Sequence, residues 1–338
     1  MQWVGYASLA SAVSNAGGLG IVTALTQPSP EALRSEIRKC RAMTANPFGV
    51  NLTLLPSLAP PDYGAYVQVI LDEGIKIVET AGANIPDGIL TAFKGAGVLL
   101  IHKCTSIRHA RTAIRLGVDF LSVDGFECAG HVGETDITNF ILLSRARQEL
   151  NIPFIASGGF ADGQGLAAAL ALGAEGINMG TRFLCTVEAP VHIKVKEAIV
   201  AADETDTQLV LRRWRNTSRL YRNKPAEDTA RVERESLTGK FEEVAPFVSG
   251  KRGREVFING DVDFGVWTAG QVMGLIKDIP TCEELISRIE REAEETIRRT
   301  AGLLGDSIQQ TGSGSVRMTE KPKENPEAVL WGITKSKL

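Results

Sequence analysis

The chain has 338 residues, of which 43% are apolar and 23% are charged, a composition that excludes an intrinsically disordered protein. Its 37 basic and 40 acidic side chains leave a net charge of −3 at pH 7, whereas a nucleic-acid-binding protein normally carries a basic excess. The sequence has neither an apolar run of about 18–20 residues nor a basic and apolar leader, so we expect no membrane span and no secretory signal.

Short β-branched runs alternate with amphipathic helical patterns along the first half of the chain. A helical pattern over residues 7–16 comes first, and strand and helix patterns then alternate. This alternation is typical of βαβ units that build a parallel sheet. The predicted strands are residues 19–23, 48–54, 75–80, 98–103, 120–124, 154–157 and 176–179. The predicted helices between them are residues 30–43, 63–73, 106–116, 136–150 and 165–172.

The pattern predicts an α/β fold, a (β/α)8 TIM-type barrel with a smaller, mainly helical cap domain. Only seven strands are found where this barrel has eight, so we expect the first strand to lie upstream of Met1. We assign residues 1–190 to the barrel, 191–275 to the cap, 276–304 to a helix that returns to the barrel, and 305–338 to a flexible tail. Helices are predicted at 188–203, 207–221 and 280–304, the last with a capping box between Thr281 and Glu284.

Glycine-rich loops follow the last two predicted barrel strands, which would be strands seven and eight of a complete barrel. Ser157, Gly158 and Gly159 end one strand, and Gly180 and Thr181 follow the other. Glycine lets backbone N–H groups approach a phosphate closely, and these two strand ends are a frequent phosphate site in such barrels. The loops therefore predict an anion site, although glycines that only make turns would give the same pattern.

His131 lies between Gly130 and Gly133 in the loop after the strand at 120–124. Helical or strand periodicity does not place it in a core. A neutral imidazole in such a loop can accept a proton or hydrogen-bond an oxyanion near pH 7. We therefore consider His131 a candidate catalytic residue; the alternative is a loop histidine that caps the following helix.

Three further polar residues lie on predicted strands. Lys103 ends its strand and would point over the barrel mouth, where a lysine can neutralise a phosphate or the electron-rich edge of a cofactor. Asn51 and Thr53 alternate along one strand, so both side chains face the same side and can hydrogen-bond a ring system. A solvated lysine at a strand end is the alternative for Lys103. The histidines show no metal-ligand spacing.

The chain resembles the FMN-dependent nitronate monooxygenases, also called 2-nitropropane dioxygenases, and in particular the subgroup that includes bacterial NAD(P)H:quinone reductases. The resemblance covers about 300 residues in order, and Met1 matches the methionine that ends the family's first strand. The His-Pro-Gly-Glu usual in the family is His131-Val132-Gly133-Glu134 here. The segments that carry the resemblance are residues 2–20, 46–53, 103–110, 122–134, 157–183 and 272–289.

The resemblance implies a function and a set of site residues. FMN would lie across the barrel mouth, and His131 matches the active-site histidine of the family. In a nitronate monooxygenase this histidine accepts the α-proton of a nitroalkane or binds the nitro oxygens, and O2 completes oxidation to a carbonyl compound and nitrite. The FMN-binding residues expected here are Met1, Asn51, Thr53, Lys103, Gly130, Ser157, Gly158, Gly159, Gly180 and Thr181.

Three functions stay open from the sequence. The first is nitronate oxidation with O2, and the second is NAD(P)H:quinone reduction on the same flavin, with NAD(P)H as a co-substrate. Arginines at 212–219 would help to hold the nicotinamide nucleotide in the second, although a solvated helix face is the more common explanation. The third is a catalytically weak homologue, because an absent first strand removes part of the flavin site.

The sequence also bears on the cellular compartment. Ser336-Lys337-Leu338 is the peroxisomal import tripeptide, so a peroxisomal enzyme and an import receptor as partner are expected in a eukaryote, and a cytoplasmic enzyme in a bacterium. The cysteines are odd in number, widely spaced and free of a Cys-x-x-Cys pair, which predicts reduced thiols. They are Cys40, Cys104, Cys128, Cys185 and Cys282.

Overall fold

The computed structural model describes residues 1–54, 61–82 and 85–304, and its centre is one parallel sheet. Seven strands pair in the order β1-β2-β3-β4-β5-β7-β8, each parallel to its neighbours, which confirms the predicted parallel sheet. A second sheet of three strands has the order β6-β10-β9. The strands are β1 (Gly20–Thr23), β2 (Phe48–Leu54), β3 (Ile77–Gly82), β4 (Leu99–Cys104), β5 (Phe120–Asp124), β6 (Gly130–His131), β7 (Phe154–Ser157), β8 (Ile177–Asn178), β9 (Thr207–Val210) and β10 (Ser218–Tyr221).

The large sheet is curled into a barrel. In a flat sheet β3 and β8 would lie four strand positions apart, about 19 Å at the usual spacing of about 4.8 Å. Instead Oε1 of Glu79 on β3 and Nδ2 of Asn178 on β8 are 3.1 Å apart, so the two strands face each other across the interior. Within the described part of the chain no ladder joins β8 to β1, and the barrel is open at this position.

Helices follow the strands and cover the outside of the barrel. Polar side chains cap the N-termini of several of these helices. Ser29 accepts a hydrogen bond from the backbone N–H of Ala32, and Asp162 accepts one from the backbone N–H of Gly165. The sequence patterns did not predict two of the described barrel helices, Asp87–Gly95 and Thr181–Leu184. The helices of this half are α1 (Ala7–Asn15), α2 (Pro30–Met43), α3 (Tyr63–Asp72), α4 (Asp87–Gly95), α5 (Ile107–Leu116), α6 (Asn139–Glu149), α7 (Gly163–Ala171) and α8 (Thr181–Leu184).

The prediction of one helix over residues 207–221 is wrong. This stretch forms the antiparallel strands β9 and β10, joined by a short 3-10 turn at Arg212–Trp214. Leu211 and Arg215 on either side of this turn have φ of +62° and +53°, a left-handed conformation that interrupts a right-handed helix. The apolar spacing in so short a stretch fits either structure, and pairing of β10 with both β9 and β6 decided between them.

The remaining described residues, up to 304, pack on the barrel beside α1 and α7. Helix α12 starts with the predicted capping box between Thr281 and Glu284, which is confirmed. Apolar side chains of α1, α9, α11 and α12 share a second buried cluster. The domain boundaries at 190, 275 and 304 stay predictions, and the tail 305–338 lies outside the described residues. The helices here are α9 (Ile193–Ala201), α10 (Lys224–Glu235), α11 (Gly250–Asn259) and α12 (Cys282–Gly302).

None of the helices in residues 1–54, 61–82 and 85–304 is long and apolar enough to span a bilayer.

Candidate active site

A cavity of about 1910 Å³ opens at the carboxyl ends of the barrel strands and continues into the opening between β8 and β1. In this family of folds, the loops after the strands build the functional site at this end. The structure brings all the sequence-predicted site residues to the wall of this one cavity. They are Met1, Asn51, Thr53, Lys103, Gly130, His131, Ser157, Gly158, Gly159, Gly180 and Thr181.

The floor of the cavity is a polar network centred on Glu79. Its carboxylate accepts hydrogen bonds from the amide of Asn51 at 2.8 Å and from the amide of Asn178 at 3.1 Å. The hydroxyl of Thr53 donates to Oδ1 of Asn51 at 2.9 Å, so the two predicted residues on β2 hold each other in place. The network therefore joins β2, β3 and β8 from the inside of the barrel.

Lys103 lies beside this network and is held by carboxylates of two neighbouring strands. Its Nζ is 3.2 Å from Oδ1 of Asp124 and 3.8 Å from Oε1 of Glu79. Burial by itself would lower the pKa of Lys103, but the charges of Asp124 and Glu79 outweigh burial and raise that pKa well above its ordinary value. The contact between Lys103 and Asp124 is therefore a buried ion pair between neighbouring strands.

The predicted glycine loops form a cradle of backbone N–H groups at the ends of β7 and β8. Gly158 and Gly159 both have φ of +85°, and a Cβ on Gly158 would lie 2.8 Å from Cβ of Cys128, so this turn needs glycine. In the described ranges the N–H groups of Gly159 and Gly180 donate to no protein acceptor. Free N–H groups in a cavity wall are suited to bind an anion such as a phosphate.

Asn139, at the start of α6, supports the cradle. Its side-chain amide donates to the carbonyl oxygens of Ser157 and Gly158 at 2.9 Å and 2.5 Å. Its own backbone N–H donates to the carboxylate of Glu127 at 3.1 Å, which ties the loop after β5 to the same turn. Asn139 therefore fixes the position of the glycine turn from behind.

His131 faces the cavity from the two-residue strand β6, which pairs with Ser218 of β10. Burial of the ring within the cavity lowers its pKa below the ordinary 6.5, although a hydrogen bond with Asn216 and the charge of Glu134 act in the opposite direction. The imidazole is therefore neutral at pH 7 and can accept a proton. Protein surrounds the ring, but the residue is solvent-accessible through the cavity, so a molecule in the cavity can contact it.

Cys128 lies three residues before His131 in the same loop. Burial raises the pKa of the Cys128 thiol far above its ordinary value, so the thiolate is not formed at neutral pH. Cys128 is therefore not activated as a nucleophile in this site.

Sequence reasoning missed Glu79, Asp124 and Asn139, which hold predicted site residues. It also missed Asn178, which holds Glu79. Glu79 and Asn178 lie 99 residues apart in the chain, and no local pattern connects them. Asp124 was recognised as a strand end but not as the partner of Lys103. The sequence offers one signal for Asn139: it lies at the start of the helix that follows the glycine-containing loop of His131.

The site is suited to a ligand with a phosphate at one end and a planar polar group at the other. The cradle at Gly159 and Gly180 supplies unpaired N–H donors, and Asn51, Thr53 and Lys103 supply polar groups at the floor. Among the described residues no group of three or more histidine, cysteine or acidic side chains is arranged to hold a metal ion. A phosphorylated organic cofactor therefore fits the residues present.

The chain has relatives that align over nearly its whole length. A family model described as nitronate monooxygenase matches residues 1–292. A protein of Mycobacterium tuberculosis, named (3aS,4S,5R,7aS)-5-hydroxy-7a-methyl-1-oxo-octahydro-1H-indene-4-carboxyl-CoA dehydrogenase, is 32% identical, with 90% of this chain and 94% of that protein aligned. A nitronate monooxygenase of Paraburkholderia phytofirmans is 28% identical, with 88% and 92% aligned. The solved structure of FabK from Thermotoga maritima has a TM-score of 0.81 and 35% identity, covering 90% of this chain and 93% of that one.

Proposed function

Because the chain belongs to the nitronate monooxygenase family, a family of flavin-dependent oxidoreductases, we propose that it is an FMN-dependent nitronate monooxygenase. It oxidises alkyl nitronates or nitroalkanes with O2 to a carbonyl compound and nitrite. The observation that carries this proposal is a neutral, accessible His131 in the same cavity as the glycine cradle. A proton acceptor and an anion-binding turn in one cavity suit a substrate that must lose a proton next to a bound flavin.

The chain's own residues would bind and orient the cofactor. The N–H groups of Gly159 and Gly180 would hold the FMN phosphate, together with the neighbouring Gly158, Thr181 and Ser157. Asn51, Thr53 and Lys103 at the polar floor would hold the ring system, together with Met1 and Gly130. When bound, FMN supplies the electron transfer from substrate to O2. The network around Glu79 would keep the floor rigid while the substrate enters and leaves.

His131 would act on the substrate. The ring nitrogen that is not engaged with Asn216 would accept the α-proton of a neutral nitroalkane. Pairing between β6 and β10 fixes the backbone of His131 and so the direction of its ring. For a nitronate, which has already lost this proton, the same ring would hydrogen-bond the nitro oxygens.

A two-substrate assay tests the proposal on purified, FMN-loaded protein. We expect nitrite from propionate-3-nitronate and O2 without added NADH or NADPH. Oxidation of NADH or NADPH with benzoquinone and no nitrite release would overturn the proposal in favour of quinone reduction. A protein that takes up no FMN would be the catalytically weak homologue.

One observation favours a second function, the oxidoreduction of an acyl-CoA thioester. The Mycobacterium tuberculosis relative is named as a CoA dehydrogenase, and at 32% identity it is more similar to this chain than the Paraburkholderia phytofirmans nitronate monooxygenase at 28%. A change in the flavin spectrum when a saturated acyl-CoA is added without O2 would support this function. A flavin spectrum that responds to nitronates alone would exclude it.

We also propose a peroxisomal location and an import receptor as partner. The tripeptide Ser336-Lys337-Leu338 lies outside the described residues, so this proposal comes from the sequence alone. A fluorescent protein fused to the N-terminus should enter peroxisomes of a eukaryotic cell, and the fusion that lacks residues 336–338 should not. Equal distribution of the two fusions would refute the proposal.

A further inference from the structure

A carboxylate three residues after His131 holds the hairpin of β9 and β10 against the loop that carries this histidine. Oε1 of Glu134 accepts a hydrogen bond from the backbone N–H of Thr217 at 2.9 Å, and Oε2 accepts one from the Thr217 hydroxyl at 2.6 Å. Thr217 is 1% exposed, and its carbonyl oxygen accepts from the backbone N–H of Val132 at 3.2 Å. The loop therefore holds Thr217 by its side chain and by its backbone.

Gly133 lets the loop make this contact. Its φ is +78°, and a Cβ at this position would lie 2.5 Å from Oγ1 of Thr105, so the turn between His131 and Glu134 needs glycine. The chain turns here so that these two side chains contact two consecutive residues of the hairpin. A shift of the residue that Glu134 binds would therefore also shift the residue that the His131 ring contacts.

Asn216 is the hairpin residue that contacts the His131 ring, and both residues line the cavity. The hydrogen bond between their side chains acts to raise the pKa of His131, so it favours the protonated ring, in which both nitrogens are donors. The acceptor is therefore the amide oxygen of Asn216. In the neutral ring this oxygen keeps the one proton on the nitrogen that faces Asn216, and the other nitrogen has a free lone pair.

The ring depends on this one partner. Among the residues that the structure describes, no other side chain forms a hydrogen bond with the His131 ring. The charge of Glu134 acts on the ring from a distance, but both of its carboxylate oxygens are bound to Thr217. Without Asn216, the neutral ring could carry its proton on either nitrogen.

We propose that Asn216 and Glu134 are positioning residues for His131. Asn216 fixes the tautomer that leaves a nitrogen free to accept a proton, and Glu134 holds Asn216 at the ring through Thr217. The inference rests on the proposed role of His131 as a base. In the other tautomer the ring would present an N–H group to the substrate and could not take its α-proton. When the correct tautomer takes this proton, the C–H electron pair stays on the substrate as the nitronate.

NMR of the FMN-loaded protein with 15N-labelled histidine tests the tautomer without turnover. The shifts of the two ring nitrogens distinguish the neutral tautomers, and the signals lost in His131→Asn identify this ring among the four histidines. We expect one tautomer at pH 8 in the wild type and a mixture in Asn216→Ala and Glu134→Ala. Glu134→Gln should keep one tautomer, because its amide can accept from the N–H of Thr217 and donate to its hydroxyl.

Kinetics give a second readout on the same proteins. In Asn216→Ala and Glu134→Ala we expect kcat for nitroethane to fall about 10–100-fold, while KM and the Kd for FMN change by less than about threefold. Glu134→Gln should stay within about threefold of the wild-type kcat. Turnover of preformed nitronates should fall much less, because they need no proton removal.

Asp136→Asn is the matched control. Asp136 makes the other carboxylate contact between this loop and the hairpin, since both terminal nitrogens of Arg212 bind it at 2.9 Å and 3.1 Å. This contact does not involve Asn216 or Thr217, and both of its side chains are about half exposed. The control should therefore keep one tautomer of His131 and change kcat by less than about twofold.

The inference is overturned if His131 keeps one tautomer in Asn216→Ala or Glu134→Ala, or if Asp136→Asn has as large an effect as Glu134→Ala. A mixture of tautomers in Glu134→Gln would also overturn it, because the charge of Glu134 and not its contact with Thr217 would then control the ring. Since the tautomer is measured without substrate, a failed nitrite assay leaves this result standing. Likewise, one tautomer in every variant leaves nitronate oxidation standing.

Discussion

The carboxylate of Glu79 accepts a hydrogen bond from the amide of Asn51 at 2.8 Å, inside a barrel that is open between β8 and β1. The other carboxylate oxygen binds the amide of Asn178 on β8. Side-chain hydrogen bonds thus connect β2, β3 and β8 across the interior. Where a backbone ladder is lacking, this network helps to hold the curled sheet and the floor of the site together.

Replacement of Glu79 tests this network. Glu79→Gln exchanges one acceptor oxygen for an N–H donor that faces amide donors, so we expect a loss of about 1–3 kcal/mol in the free energy of unfolding. Urea denaturation would measure the loss. The control is Glu197→Gln, an exposed position on α9, which should change stability by less than about 0.5 kcal/mol. Equal stability of the two variants would mean that Glu79 does not hold the barrel.

The glycine cradle gives a second prediction. A Cβ on Gly159 would lie 3.1 Å from Cβ of Glu127 at a backbone φ of +85°, so Gly159→Ala displaces the turn whose N–H groups face the cavity. We expect at least about a tenfold loss of FMN affinity, measured by fluorescence titration of the stripped protein. Gly97→Ala is the matched control, because Gly97 also has a positive φ, +64°, but has open space around it. If both variants bind FMN alike, the cradle does not hold the phosphate.

His131 gives a third prediction. His131→Asn keeps a hydrogen-bonding side chain but removes the proton acceptor, so turnover of neutral nitroalkanes should fall by about 10²–10⁴-fold. Turnover of preformed nitronates should fall much less, because they need no proton removal. Oxygen consumption with nitroethane and with its nitronate would measure the two rates on the same FMN-loaded sample. An equal loss on both substrates would rule out the role of His131 as a base.

The same residue predicts a pH dependence. Burial lowers the pKa of His131 below 6.5, and the base must be neutral to act. We therefore expect kcat/KM for neutral nitroalkanes to be level around pH 7 and to fall only below pH 6.5, with the slope of a single proton. His131→Asn should remove this acid limb from whatever activity is left. An acid limb that persists in the variant would assign the titration to another group.

The buried His102 should make the free energy of unfolding depend on pH. It is 5% exposed on β4, its Nδ1 lies 2.9 Å from the hydroxyl of Thr80, and burial lowers its pKa to about 4. The unfolded chain binds this proton near pH 6.5 and the folded chain does not, so stability is complete above pH 6.5 and is lost as the pH falls toward 4. The loss should reach about 3 kcal/mol. Urea unfolding at pH 7.5 and 4.5 would show it, and His102→Gln should reduce the difference.

Much of the barrel was predictable because its signals are local. The β-branched runs at Phe48–Leu54, Phe120–Asp124 and Phe154–Ser157 became strands at the predicted bounds, and Pro30–Met43 became a helix as predicted. The glycine loops and His131 could be assigned to one end of the barrel because parallel strands bring their carboxyl ends together. Because of this one topological rule, residues that lie far apart in the chain could be expected to line the same cavity.

The hairpin of β9 and β10 was not predictable in the same way. Residues 207–221 are too short for apolar spacing to separate a helix from two strands. The decision came from pairing of Ser218 with His131, two residues that lie far apart in the sequence. This pairing also sets the backbone direction of His131, which the sequence left open.

The sequence by itself determined the alternation of strands and helices, the glycine turns and the position of one histidine between glycines. These follow from side-chain periodicity and backbone conformation, which act over a few residues. Only the tertiary structure decided which groups meet: Glu79 meets Asn51 and Asn178, and Lys103 meets Asp124. The charge and protonation of each group depend on neighbours that curling of the sheet brings together, and no local pattern in the chain records them.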